Sequence, residues 1–136
     1  MSGSGGSVLE INLAEVRDEL ERVFWRYVNA IVANDIETIT ATFWESAHTL
    51  RYGPAEHLYG KAAIAAFRNT QRGRKLDLDV TRLVITSFGR DFGTANCELR
   101  RGDNAGIGRM SHTWVRFAEG WRIVAAHVSN VQPASQ

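Results

Sequence analysis

The chain has 136 residues, the size of a single domain, and 44% of them are hydrophobic, so it can bury a core of its own. Sixteen Lys and Arg against fifteen Asp and Glu leave a formal charge of +1, which argues against nucleic acid as a partner. No apolar run approaches the length of a membrane span, so we expect no membrane partner either. The single cysteine, Cys97, cannot form an internal disulfide, and this fits a cytoplasmic location.

The two ends of the chain differ in composition from the rest. Residues 1–7 are rich in Gly and Ser, which predicts a flexible tail, and residues 132–136 are expected to be frayed. Residues 8–131 are then one domain. The four histidines lack the close spacing of a zinc-binding pair, and no motif indicates an organic cofactor, so we expect neither a metal nor a cofactor.

The first half of the domain is predicted to be mainly helical. Apolar residues recur in steps of three and four from Leu13 to Ile31, which is typical of one face of a long helix. Asn12 is expected to cap this helix, with Glu15 completing a capping box, and Asn34-Asp35 to end it.

A second helix, an extended segment and a third helix are expected to follow the first helix. The second helix is short and carries Ile36, Ile39 and Phe43 on one side. The extended segment covers residues 48–52, and the third helix covers residues 60–72 with Gly73 as its C-cap.

Residues from Leu76 onward change in character, because segments rich in Val, Ile, Thr and Trp alternate with turn signals. Strands are predicted at 79–88, 93–101, 108–117 and 120–131, with a Gly/Asp/Asn loop at 102–106. Short loops between successive strands favour antiparallel hairpins. Helices followed by a meander predict an α+β fold, in which a strongly curved antiparallel sheet wraps over the long helix and leaves a pocket at its open end.

Two residues in the helical half have the chemistry of a ligand site. Tyr27 carries the one hydroxyl in the apolar stripe of the first helix, so it is either a core tyrosine or a pocket hydroxyl that donates to a ligand. Arg51 shares a strand face with Thr49 and Gly53. On a concave face Arg51 would anchor an anion, and on a convex face it would be a solvated surface residue.

Three further residues are candidates for acid, base or ligand contacts. His112 shares strand parity with Met110, and His127 shares parity with Trp121, so each is either a pocket acid or base or a hydrogen-bonded structural histidine. Glu56 either forms a local salt bridge or lies at a pocket rim. The arginine pairs Arg100-Arg101 and Arg72/Arg74 are interpreted as solvated charge.

Four ordered motifs carry a resemblance that covers the chain from Leu13 to Val131. They are Phe43-Trp44 with Thr49-Leu-Arg51-Tyr52-Gly53, Glu56, Gly60, Ile64 and Phe67-Arg68; Ile85-Thr-Ser-Phe88-Gly89-Arg-Asp91; Gly108-Arg-Met-Ser111-His-Thr113-Trp114-Val115-Arg116; and Gly120-Trp-Arg-Ile-Val-Ala-Ala-His127-Val-Ser129. Together they resemble the AtzH-like, oxalurate-catabolism branch of the nuclear transport factor/SnoaL-like superfamily.

The resemblance implies a cystatin-like cone of helices on a curved sheet and a homodimer formed through that sheet. It also implies an amidohydrolase of small anionic ureido carboxylates, such as those of dicarboxyurea or oxalurate catabolism. The family's site pair matches Tyr27 and Arg51, which we take as the catalytic candidates. Substrate-binding candidates are His127, His112, Glu56, Trp44, Phe67 and Met110.

This chain departs from the family pattern at several positions. Met110 and His112 stand where the family often has two glutamines, Gln71 stands where it often has arginine, and Pro54-Ala55 is unusual before Glu56. Three functions therefore stay open: a ureido-acid hydrolase, a non-catalytic binding or accessory module, and an isomerase or dehydratase that transfers a proton.

Overall fold

The computed structural model describes residues 8–102 and 106–131. The predicted tail at 1–7, the predicted frayed end at 132–136 and part of the predicted loop at 102–106 lie outside the described residues. None of the helices in the described ranges is long and apolar enough to cross a membrane.

The long first helix, α1 (Ala14–Ala33), buries the predicted apolar stripe. Its start differs from the prediction, because Leu13 occupies the N-cap position and no side chain caps the helix. Asn12 instead has a left-handed φ of 58° and pairs with Ser87. Its backbone N–H donates to the Ser87 carbonyl, and its side-chain oxygen accepts from the Ser87 N–H, both at 2.9 Å. The Asn12 side chain therefore fastens the chain to the sheet rather than capping α1.

The two shorter helices are α2 (Ile36–Ala41) and α3 (Lys61–Asn69). Asn34 ends α1 in a left-handed conformation, as an asparagine can, and the Asp35 side chain caps α2 by accepting from the Thr38 N–H at 3.2 Å. Helix α3 ends earlier than predicted, at Asn69, and Gly73 lies in the turn beyond it.

Six strands form a single sheet in the order β2-β1-β6-β5-β4-β3. They are β1 (Leu50–Tyr52), β2 (His57–Tyr59), β3 (Leu78–Phe88), β4 (Phe92–Arg101), β5 (Ile107–Phe117) and β6 (Gly120–Val131). The α+β fold and the four predicted long strands are confirmed. The sheet is mixed rather than purely antiparallel, because β1 returns from the helices to lie parallel to β6. The short strand β2 was not predicted.

Strand β6 contains a β-bulge that decides which side chains face the helices. Thr113 pairs with Ala125 and Trp114 with Ile123, so Val124 has no partner on β5. An extra residue reverses the alternation of side chains along a strand. Trp121 and Ile123 before the bulge are buried, and so are Ala126 and Val128 after it.

Helix α1 packs closely on the concave face of the sheet. A Cβ at Gly93 would overlap the Leu20 side chain and lie 2.8 Å from the Thr86 carbonyl oxygen, so this contact requires glycine. The buried core lies between α1 and this face.

Candidate active site

A cavity of about 280 Å³ opens between α1, α3 and the concave face of the sheet. Six of the eight sequence-predicted site residues line it: Tyr27, Arg51, Glu56, Phe67, Met110 and His112. The remaining two, Trp44 and His127, do not. The cavity therefore brings together the two candidate catalytic residues, which are 24 positions apart in the chain.

Arg51 faces the concave side of the sheet, so it is not the solvated surface residue that a convex position would make it. Thr49 and Arg51 are both buried, as the period of two predicts, and Arg51 is only 6% exposed. Its Nη1 donates to the Glu56 carboxylate at 2.7 Å, and its guanidinium lies 5.6 Å from the centre of the Phe67 ring. Glu56 occupies one donor of the guanidinium fork, which leaves further donors for a ligand.

Gly53 makes the Arg51–Glu56 ion pair possible. A Cβ at this position would overlap the Glu56 carboxylate and lie 2.9 Å from Nη1 of Arg51. Its backbone N–H also donates to the Glu56 carbonyl at 2.9 Å, which closes the turn that carries Glu56 back to Arg51. The glycine after Arg51 and Tyr52 thus has a steric role in the site.

Tyr27 is buried between the helix layer and the sheet. Its ring makes edge-to-face contacts with Phe43, His112 and Trp114, with ring centres 5.9, 5.2 and 6.4 Å apart. These contacts fix the ring, and the residue lines the cavity. The hydroxyl has no hydrogen-bond partner among residues 8–102 and 106–131, so it is available to a ligand.

His112 is as deeply buried as Tyr27, at 2% exposed. Neither ring nitrogen has a hydrogen-bond partner within the described part of the chain. Burial, and to a lesser extent the positive charge of Arg51, lower the pKa of His112 to about 3. The imidazole is therefore neutral near pH 7 and carries one donor and one acceptor.

Two arginines that the sequence analysis did not select also belong to the cavity wall. Arg68 is 7% exposed and lies 5.9 Å from the centre of the Phe67 ring, and Arg101 is half-buried. The Nε atoms of both have no partner in the described ranges. Burial and then the charges of Arg51 and Arg68 lower the pKa of Arg101, so the three guanidinium groups share one electrostatic environment.

The interpretation of Arg101 as solvated charge was wrong, and a sequence signal existed for both arginines. Arg101 shares strand parity with Leu99 and Cys97, which are buried. Arg68 follows Ile64 by four positions on α3, so the two side chains lie on the same helix face.

The cavity has an excess of positive charge that the whole chain does not have. Four arginines line it, the fourth being the exposed Arg74 at its mouth, against a single carboxylate, Glu56. The chain as a whole has a formal charge of only +1. Such a concentration of guanidinium groups in a concave site favours an anionic ligand.

Trp44 and His127 lie outside the cavity. Trp44 stacks on Phe117, with ring centres 5.5 Å apart, and its backbone N–H donates to Ile123. His127 is exposed on the outer face of the sheet, where its ring contacts Tyr52. The parity of His127 with Trp121 and Ile123 is broken by the bulge at Val124, and no feature of the sequence marked that bulge.

The described residues contain neither a candidate metal site nor a reactive thiol. No group of three or more His, Cys, Asp or Glu side chains there is arranged to hold a metal ion. Cys97 is buried, and burial raises the pKa of its thiol to about 11, so it is a packed side chain rather than a nucleophile.

Comparison with known proteins identifies the family of the chain. The AtzH-like family model matches residues 9–134. The chain belongs to the AtzH-like family. A search of curated proteins gave no match. The likeness thus identifies the family and the fold without assigning a reaction.

Solved structures similar to this AtzH-like protein share its architecture. One, from Pectobacterium atrosepticum and of unknown function, is 41% identical, with a TM-score of 0.87 over 90% of this chain and 95% of that chain. A cystatin-like fold protein from Burkholderia xenovorans is 37% identical, with a TM-score of 0.86 over 93% of this chain and all of the other. A nuclear transport factor 2-like superfamily protein from Salmonella enterica is 27% identical, with a TM-score of 0.69 over 90% and 94% of the two chains.

Proposed function

We propose that this protein is a cofactor-free hydrolase that cleaves a C–N bond of a small ureido or amide carboxylate. The observation that carries the proposal is the meeting of Tyr27 and Arg51 in one cavity whose wall has four arginines and one carboxylate. Arg51 binds the carboxylate of the substrate through the donors that Glu56 leaves free. The additional arginines favour a substrate with more than one acidic group.

Tyr27 supplies the polar contact at the reacting group. Its hydroxyl donates to the carbonyl oxygen, where negative charge develops as water adds to the carbonyl carbon. The C–N bond then breaks, and one proton of the water passes to the leaving nitrogen. Glu56 binds Arg51 through Oε1, so its second carboxylate oxygen is available to orient the attacking water.

An assay of ammonia or carbon dioxide release from a panel of ureido acids, including oxalurate and N-carbamoylglycine, tests this proposal. Tyr27→Phe is expected to lower turnover roughly a hundredfold or more, because a donor to the developing oxyanion is lost. Arg51→Ala is expected to abolish saturable turnover. His127→Gln, on the outer face, is the control and should match the wild type. Turnover that is unchanged in both site variants would remove the assignment.

A specific observation favours a second candidate function, which is binding without catalysis. Of the candidate bases in the cavity wall, His112 has its pKa lowered to about 3 by burial, and Glu56 is bound by Arg51 through Oε1. The same observation gives little support to proton-transfer chemistry of the isomerase or dehydratase kind. Calorimetry that gives stoichiometric binding of a ureido acid, with no product over several hours, would select the binding function.

We also propose that the protein is a cytoplasmic homodimer formed through the outer face of the sheet. The described helices cover only the concave face, and Val84 and Phe92 on the strands β3 and β4 are 50% and 44% exposed. Exposed apolar side chains on a sheet favour an interface with a second sheet. Sedimentation should give a dimer for the wild type and a monomer for Val84→Asp. A monomeric wild type would contradict this proposal.

A further inference from the structure

Arg51 and His112 lie in one row across the concave face of the sheet. Arg51 on β1 pairs with Ala126 on β6, and Ala126 pairs with His112 on β5. Neighbouring strands lie about 4.8 Å apart, so the two backbones are separated by about 10 Å. The residue between them is the small Ala126, which leaves room above the sheet for a bound molecule that contacts both side chains.

The polar atoms of His112 make no hydrogen bond to the described residues. Its ring is held by edge-to-face contacts with Tyr27 and Trp114, with ring centres 5.2 and 5.8 Å apart. Both nitrogens are buried and without a partner in the described residues, although the residue lines the cavity. A buried polar group without a partner is costly, and a ligand in the cavity can supply the missing hydrogen bond.

The other polar groups of the wall determine which kind of hydrogen bond is missing. Arg51, Arg68 and Arg101 only donate, and the Tyr27 hydroxyl is used as a donor in the proposed function. Glu56, the one carboxylate, already accepts from Arg51. The unprotonated nitrogen of His112 is thus a neutral acceptor on the sheet side of the cavity, whereas the amides of Asn34 and Gln71 lie at the C-terminal ends of α1 and α3. The cationic wall repels a ligand that would present positive charge to His112.

The geometry points to His112 as a specificity-determining residue that accepts a hydrogen bond from a neutral N–H of the ligand, next to the carboxylate held by Arg51. This inference rests on the proposed function, because Arg51 must hold the carboxylate. It assigns the ligand an internal amide or ureido N–H and excludes a simple carbon chain of the same length. His112 then recognises the ligand through a hydrogen bond and does not act as an acid or a base.

Two probes of nearly the same shape test the inference. N-Carbamoylglycine and succinamate both have a carboxylate and a terminal carboxamide, and they differ only where an N–H replaces a methylene. By calorimetry, the wild type should bind N-carbamoylglycine at least tenfold more tightly than succinamate. His112→Gln, which keeps a neutral acceptor, should retain the preference. His112→Leu should reduce it to less than threefold.

A general loss of packing in a variant would lower its affinity for both probes, so the ratio of the two affinities does not depend on it. A wild type that binds both probes equally, or binds neither, overturns the inference even if no variant folds. A His112→Leu protein that keeps the full preference overturns it as well. If the wild type does not discriminate between the probes, but Arg51→Lys weakens binding of both, the proposed function survives and only the role of His112 is lost.

Discussion

The two faces of the same three strands have opposite chemistry. On the concave face, a row across β1, β6 and β5 contains Arg51, Ala126 and His112, all buried. On the convex face, the adjacent row contains Tyr52, His127 and Ser111, of which His127 and Ser111 are exposed. One residue of displacement along a strand therefore separates a candidate site from the outer face of the sheet.

The two histidines show what this difference means chemically. His112 is buried beside Arg51, and its pKa falls to about 3, whereas His127 is exposed to solvent on the next strand. Their different surroundings follow from strand parity, which the bulge at Val124 sets for the second half of β6. Residue type alone does not distinguish them, but their position relative to the bulge does.

Deletion of a paired residue of β6 should have the largest effect, and deletion of the unpaired Val124 is its control. Removing Arg122 would make Trp121 and Ile123 neighbours in the chain, so their two side chains could no longer both face the core. We expect a loss of more than about 3 kcal/mol of unfolding free energy, because a large buried apolar side chain leaves the core. Removing Val124 restores the regular alternation and keeps Ala126 facing the core, so its loss should be smaller. Urea denaturation measures both losses, and equal losses would contradict the role of the bulge.

Acid should destabilise the protein through the buried His112. The pKa of His112 is lowered on folding, so below the unfolded value of about 6.5 the unfolded state takes up the proton first. Stability is therefore lost as the pH falls from about 6.5 toward 3. Between pH 7.5 and pH 5 the wild type should lose about 2 kcal/mol more than His112→Gln.

Unfolding by urea at the two pH values checks the expectation for His112. The His112→Gln variant is compared with the wild type at the same two pH values. Equal acid sensitivity of the wild type and His112→Gln would show that His112 is not buried in its neutral form.

The neighbouring residues Arg100 and Arg101 lie on opposite faces of β4, and their substitution is expected to have the smallest effect on ligand binding. Arg101 lines the cavity and Arg100 is exposed. Arg101→Gln should weaken binding of succinate about fivefold, near 1 kcal/mol, because Arg68 remains beside it. Binding of succinamate, which has one acidic group, should change little. Calorimetry of Arg100→Gln should match the wild type with both ligands, and equal effects of the two substitutions would refute an anion-binding role for Arg101.

Local sequence patterns were sufficient for most of the elements and for the centre of the site. The helix periodicity placed Tyr27 on the buried face of α1, and strand alternation gave the two possible faces for Arg51. Family resemblance then selected the pair. These features depend on neighbouring residues, which a single sequence contains in full.

The features that the sequence did not reveal depend on contacts between distant segments. The parallel pairing of β1 with β6 joins residues about 75 positions apart, and the bulge at Val124 is defined only by its partners on β5. The turn that brings Glu56 to Arg51 requires glycine at position 53, because a Cβ there would overlap the Glu56 carboxylate. In the sequence alone, Gly53 indicates only a turn. Arg101 was missed for a different reason. Its strand parity with Leu99 and Cys97 was visible in the sequence, but a charged side chain was interpreted as exposed.

The central claim is that Arg51 holds the carboxylate of a ligand in the cavity, and calorimetry of Arg51→Lys with N-carbamoylglycine tests it most directly. Lysine keeps the charge but loses the planar fork of donors, at a typical loss of roughly 1.5–3 kcal/mol, so binding should weaken about ten- to a hundredfold. Arg109→Lys, on the exposed face of β5, is the matched control and should bind like the wild type. Equal affinity of Arg51→Lys and the wild type for N-carbamoylglycine would contradict the account and remove the site with it.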